Sequence, residues 1–286
     1  MKRWISPIPK KIHLIWIGGE RPDYLELFLK SFSENLPYQF DIKVWGNKDL
    51  TKKNFPLTYE YIQKSKKYHG KPMRESDKTN VEGPIMRDKN MKPYLHSKWP
   101  QITDLMRLEI IYNHGGFYFD SNFEILKPIY NLLNKNYKFV GCNEIPRFKR
   151  ISFLSNSFFG AVSKSPVLKR LLSKRSLNKI NFASPSVDFE TGPHFLRKGI
   201  LEKDNYLIYP TKYFYPFIEE YGPNIEPLYR KSSKNKCHSV KKTKNKRKLE
   251  NKKGYLKFPC DKYPSSYALK HWELGKSWSV PTKYYI

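Results

Sequence analysis

Asp104, Arg107, Asp120 and Asn122 fall within one short stretch, DLMRLEIIYNHGGFYFDSN. Three positions apart on a helix, Asp104 and Arg107 share a face. A carboxylate that accepts and a guanidinium that donates suit the hydroxyls of a polyol, although the same pair on an exposed face would be a surface ion pair of well under about 1 kcal/mol. Asp120 and Asn122 are two apart, so an extended chain puts both on one side. Oxygen ligands of this kind can hold Mg²⁺ or Mn²⁺, and a cation there would neutralise a diphosphate. An Asx turn accounts for the same triplet without any ligand.

Elements that could position these groups lie on either side. KIHLIWI, residues 11–17, is β-branched and aromatic, ends on Gly18-Gly19 and predicts a strand. RPDYLELFLKSFSENL predicts a helix with Pro22 in its first turn and Leu25, Leu27, Phe28 and Phe32 inward. FDIKVWG predicts a second strand. This β-α-β rhythm points to an α/β protein with a covered, mainly parallel sheet. WPQITDLMRLEIIYNHGG predicts a helix capped by Thr103, with a stripe of Leu105, Leu108, Ile111 and Tyr112 and a stop at Gly115. Strands follow in FYFD, YKFVGCNE, SFFGAV and NYLIYP, and helices in SPVLKRLLSK and VDFETGPHFLRKGI. In an α/β sheet, ligands sit beyond the carboxyl ends of the strands. That is where Asp120 falls, and Trp16 beside Gly18 can stack there on a nucleobase. A core tryptophan before a turn fits Trp16 equally well. His271, near the chain end, can complete a coordination sphere that Asp120 begins, and Ser277 and Trp278 can line the same pocket.

Composition limits the function classes. The 286 residues carry 54 Lys and Arg against 26 Asp and Glu, a formal charge of +28, and a hydrophobic share of 39% supports a packed core. Such a charge favours polyanions, but a bias toward Lys and Asn codons produces it too. Its densest run, Lys231 to Lys253, reads as a solvated insertion able to touch a polyanion or a membrane surface. A second polar stretch, about 64–98, is broken by Gly and Pro and reads as a long loop. Cys142, Cys237 and Cys260 fit neither a zinc site nor a disulfide framework, which suggests a reducing compartment. Without an apolar run of signal-peptide or membrane-span length, the expectation is a soluble, intracellular or cytoplasmic protein.

Taken in order, IPKKIHLIWIGG, DLMRLEIIYNHGGFYFDSNFEILKP, NSFFGA, ETGP and HWELGKSW form a pattern from Ile8 to Trp278. The pattern resembles family 32 glycosyltransferases with a DxD sugar-binding region. That family includes fungal mannosyltransferases and is similar to the glucosyltransferase domain of large clostridial cytotoxins. The resemblance implies one GT-A-like domain over residues 1–286, a Rossmann-like mixed sheet flanked by helices, with loop insertions. It implies retaining transfer of a sugar from a UDP- or GDP-sugar to a glycan, protein or lipid acceptor, aided by Mn²⁺ or Mg²⁺. By motif, Trp16 would stack on the base, and Asp104 and Arg107 would hold the donor sugar. Asn156 would line its pocket, and Thr191, Gly192 and Pro193 would shape the wall. Asp120, Asn122 and His271 would place the metal, and His271, Ser277 and Trp278 would close over the diphosphate. Asn122 departs from the family, which has its principal metal-binding aspartate there. A neutral amide brings no charge, so metal affinity should fall. Three outcomes follow from this departure: a metal held with help from Asp120 and His271, basic residues in its place, or a weak or inactive binding relative.

Overall fold

The computed structural model describes residues 3–17, 21–65, 98–145, 153–181, 187–215 and 264–270. The polar stretch 66–97, all of Lys231–Lys253 and the segment from His271 onward lie outside the described residues, so the expected loop, insertion, and roles of His271, Ser277 and Trp278 do too. Among the described residues, no helix is long and apolar enough to cross a membrane.

Six strands form one sheet: β1 (Lys11–Ile15), β2 (Asp41–Trp45), β3 (Gly116–Phe119), β5 (Phe139–Ile145), β6 (Phe153–Ala161) and β7 (Tyr206–Tyr209). Their order is β2-β1-β3-β6-β5-β7. β1 is parallel to β2 and β3, and β5 is parallel to β7. β6 runs antiparallel between β3 and β5. The sheet is therefore mixed and mainly parallel, as the β-α-β rhythm and the resemblance both imply. A second ribbon pairs β4 (Phe123–Ile125) with β8 (Ala268–Lys270) antiparallel.

Both faces of the sheet are covered, which is why β3 reads as an unbroken apolar run. Phe117 and Phe119 pack with Leu25, Phe28 and Phe32 of α1 (Asp23–Asn35) in one core cluster. Tyr118 points the other way, into the cluster of Leu105, Met106, Leu108 and Ile111. Those four sit on α3 (Lys98–His114), which packs against α2 (Pro56–Ser65). Glu109 of α3 fastens the start of α2, accepting Leu57 N at 3.0 Å, Thr58 N at 2.9 Å and Thr58 Oγ1 at 2.8 Å. A carboxylate on these first N–H groups satisfies orphan donors and complements the helix dipole.

Several local expectations are corrected. Strand β1 stops at Ile15, and Trp16 lies past its end, although Trp16 N still donates to Trp45 O at 2.8 Å. Pro22 is the extended residue before α1, and Leu27 faces solvent. Thr103 does not cap α3. The helix begins at Lys98, and the Thr103 hydroxyl donates back to Pro100 O at 2.8 Å. After the short α4 (Tyr130–Leu133), the two later helices are each split, into α5 (Pro166–Leu171) and α6 (Lys174–Leu177), then α7 (Val187–Glu190) and α8 (Pro193–Lys198). The second break falls at Thr191-Gly192, where Thr191 N and Gly192 N both donate to Val187 O.

The turn from α3 into β3 needs glycine. Gly115 and Gly116 have φ of 63° and 100°, and a Cβ on Gly116 would stand 2.7 Å from Lys11 O. Beside them His13 is buried with its ring fixed. Its Nε2 is 3.0 Å from Gly115 O, while Nδ1 accepts Trp45 Nε1 at 3.1 Å. Since Trp45 can only donate, His13 is neutral with its proton on Nε2. Burial lowers its pKa from 6.5 to about 4. Protons then bind the unfolded chain first, so this contribution is full above pH 6.5 and is lost as pH falls toward 4. Native protein should lose about 3 kcal/mol across that window in urea titrations, beyond any slope retained by His13→Ala.

Candidate active site

Strand ends and one helix bring the chemistry together. Tyr118 and Asp120 are two apart on β3 and its exit, so both side chains point toward α3. Arg107 comes from α3, Asn156 and Ser157 from β6, and Thr191 from the break between α7 and α8. Asp120 N donates to Ser157 O at 2.8 Å, extending the β3–β6 ladder by one residue. The chain then turns, Phe123 N donating to Asp120 O at 3.2 Å. The extended Asp120-to-Asn122 geometry expected from the spacing is thus not formed, and Asn122 is buried in the turn.

Arg107 is the hub. Its side chain is 8% exposed and that of Asp104 is 7%, so an exposed ion pair is ruled out. Arg107 Nε donates to Thr103 O at 3.1 Å, and Nη2 reaches Thr103 Oγ1 at 3.4 Å and Asp104 Oδ1 at 3.3 Å. Nη1 donates to Asp120 Oδ1 at 3.0 Å and Asn156 O at 2.7 Å. Those contacts, four hydrogen bonds and one ion pair, engage all three nitrogens of the guanidinium. The Tyr118 ring lies 4.6 Å from the guanidinium carbon, a cation–π contact.

Two carboxylates share this arginine and differ in environment. Asp104 accepts Asn156 Nδ2 at 2.8 Å on Oδ1 and Thr191 Oγ1 at 2.9 Å on Oδ2. Burial pushes its carboxyl up to about 7, against the pull of Arg107 and Thr191. Burial raises Asp120 as well, but Arg107 and then Lys270 outweigh it and hold that carboxyl below its ordinary value. Asp120 Oδ1 also accepts Tyr118 OH at 2.8 Å, and Oδ2 lies 3.1 Å from Lys270 Nζ. The result is one firmly ionised carboxylate beside one close to neutrality, the pattern that separates roles between paired acids.

Sequence reasoning missed Lys270 and Tyr118. Tyr118 sat in the quoted strand, and its spacing of two from Asp120 was the available signal. Lys270 directly precedes His271, but it enters the site through the β4–β8 pairing, in which Phe123 faces Lys270. Glu144 of β5 is a third addition. It is half-buried, its carboxyl is raised by burial, and it feels the charge of Lys270. Of the other expected residues, Trp16 lies at the same end of the sheet as Asp120. β1 and β3 are parallel neighbours in register His13 to Tyr118, and Trp16 is half-buried, edge-on to Tyr24 at 6.1 Å. Gly192 sits so close to α7 that a Cβ would approach Asp188 Cα to 2.9 Å.

Residues 2–140 match the family model described as "Glycosyltransferase sugar-binding region containing DXD motif". This chain resembles the DXD glycosyltransferases. Among solved structures, "PaToxG Glycosyltransferase" is similar at 15% identity with a TM-score of 0.42, over 68% of this chain and 70% of that one. The catalytic domain of alpha-toxin from Clostridium novyi is similar at 12% identity with a TM-score of 0.40, over 67% of this chain and 72% of that one. Curated protein sequences contain no match to it. The family match supports sugar transfer, with a nucleotide-sugar donor and an acceptor.

Glycosyltransferases of this DXD kind usually use a divalent metal. The described residues do not fit one at Asp120. Both of its oxygens already take donors, two of them from full positive charges, and Asn122 adds no charge. Among the described residues no group of three His, Cys, Asp or Glu could hold a metal.

Arg107→Met would leave Asp104 and Asp120 buried without their shared counterion. Urea unfolding should show a loss of about 3–5 kcal/mol, as for one-sided removal of a buried pair.

Proposed function

We propose that the chain is a retaining glycosyltransferase that moves a sugar from a UDP- or GDP-sugar to a glycan, protein or lipid acceptor. The observation that carries this reading is the Asp104–Arg107–Asp120 network at the carboxyl end of β3, inside the segment that matches the sugar-binding region. Ligands of open α/β sheets bind at that end.

The residues divide the work as follows. Trp16, at the exit of β1, presents an indole on which the base stacks, an interaction of roughly 1–3 kcal/mol. Asp104, Asn156 and Thr191 form the polar floor against the donor sugar. Carboxylate oxygens have two lone pairs each, so Asp104 can accept a sugar hydroxyl beside its present donors. Arg107 acts as a positioning residue, because its donors are consumed by Thr103, Asp104, Asp120 and Asn156. The Mn²⁺ or Mg²⁺ that the resemblance implies would have to draw ligands from beyond the described residues. Arg107 and Lys270, the cationic partners of Asp120, supply positive charge from the protein itself.

For retention we favour a front-face path, because a double displacement needs a nucleophile on the far face of the sugar and a front-face path needs none. The bond from the anomeric carbon to the diphosphate oxygen breaks, and the acceptor oxygen bonds the same face of that carbon. The acceptor proton passes to the departing phosphate oxygen. Protein donors that hold the departing charge more strongly than the ground state lower the barrier.

Purified protein offered a panel of UDP- and GDP-sugars should hydrolyse one of them slowly without acceptor. Asp120→Asn should slow that hydrolysis on the order of a hundredfold, the scale of losing one electrostatic group at a reacting centre. The absence of both hydrolysis and nucleotide binding across the panel would overturn the reading.

A further inference from the structure

We propose that Lys270 is the resident cation of the diphosphate site, standing where a divalent ion would otherwise join Asp120 to the leaving group. The inference rests on the sugar-transfer reading and names how that site handles charge.

The geometry of Lys270 carries it. Its side chain is 8% exposed, and Nζ lies 3.1 Å from Asp120 Oδ2. Nζ also donates to the Ser157 hydroxyl. The backbone of Lys270 is fixed by the β4–β8 ribbon, in register Phe123 to Lys270, Glu124 to Leu269 and Ile125 to Ala268. Ile125 N donates to Ser31 Oγ at 2.9 Å, and Leu126 N to Tyr267 O at 2.9 Å, so both strands of the ribbon are tied down. The ammonium therefore sits against the turn Asp120-Ser121-Asn122 by construction of the fold, without relying on a mobile surface side chain.

Its surroundings are those of a cation site. Asp120, Glu144 and Asp188 all feel the charge of Lys270. Asn122 removes the negative charge that a dication would need, and Lys270 supplies one positive charge where two would have come from the metal. Arg107 holds Oδ1 of Asp120 and Lys270 holds Oδ2, so the carboxylate orients two cations instead of ligating one ion. A diphosphate oxygen is a stronger acceptor than a neutral hydroxyl. On donor binding it exchanges for Ser157 Oγ at Nζ, and the ammonium bridges Asp120 and phosphate. As the anomeric carbon–oxygen bond breaks, the added charge on the diphosphate is met by that ammonium.

Calorimetric titration of UDP and GDP into the full chain, in EDTA and in Mn²⁺, tests this together with donor hydrolysis under both conditions. The native protein should bind one nucleotide with unchanged affinity in EDTA and hydrolyse its sugar there. Lys270→Met should weaken binding at least about tenfold, the loss of one charge-assisted bond, and Lys270→Arg should restore most of it. The EDTA arm uses native protein, so it decides the matter even if Lys270→Met does not fold. Nucleotide binding or hydrolysis abolished by EDTA and restored by Mn²⁺ would overturn the inference while leaving sugar transfer intact. A folded Lys270→Met protein that binds and hydrolyses like native would overturn it too. Native protein that binds neither nucleotide under either condition would remove sugar transfer itself, and the inference with it.

Discussion

The buried guanidinium of Arg107 is the constraint on which the site depends. A charge nine-tenths removed from water is tolerated only when every donor has an acceptor. Those acceptors come from Thr103 one helical turn back, from Asp104 on the same helix, from Asp120 at the exit of β3 and from the backbone of Asn156 on β6. Satisfying one side chain thus locks α3, β3 and β6 in a single arrangement. The rest of α3 follows from the same burial. Gln101, Asp104, Arg107 and Glu109 are all buried polar groups on a helix that an apolar stripe alone would have left half in solvent. Glu109 solves its own burial by binding the start of α2, so this helix is held through charge at both ends of the core.

From that hub the charges at the mouth acquire opposed characters. Asp120, facing Arg107 and Lys270, stays ionised, whereas Asp104, deeper and shared with Asn156 and Thr191, is pushed up to about 7. The two acids lie on one arginine but face different neighbours. In the proposed reading the polar floor serves hydroxyls and the cationic rim serves phosphate, the two demands of a sugar nucleotide. Tyr118 ties the two regions, its ring against the guanidinium and its hydroxyl on Asp120.

How much could be read in advance varied with the range of the interaction. Strand β1, helix α1 and strand β2 were legible because β-branched runs, inward aromatics and a helix between strands are local signals. Leu27 was misjudged because a spacing of two along a helix turns the side chain outward, and Leu25, Phe28 and Phe32 already fill the inner face. Thr103 looked like a cap, yet α3 starts five residues earlier, and its hydroxyl serves the helix and Arg107 instead. Asp120 and Asn122 looked convergent by strand spacing. The strand ends at Phe119, and the turn that follows sends Asn122 into the interior.

By itself the sequence determined the α/β class and most inward faces of the main elements, and it singled out the stretch Asp104 to Asn122 as the candidate chemical centre, because periodicity and motif order are properties of neighbours along the chain. The tertiary structure alone decided that Asp104 and Arg107 are buried together, that β6 runs against its neighbours and supplies Asn156 and Ser157, and that Lys270 reaches Asp120 from 150 residues away. Each of those is a pairing of strands or charges distant in sequence. Low-dielectric burial and hydrogen-bond satisfaction choose such partners in space, and no local spacing records the choice.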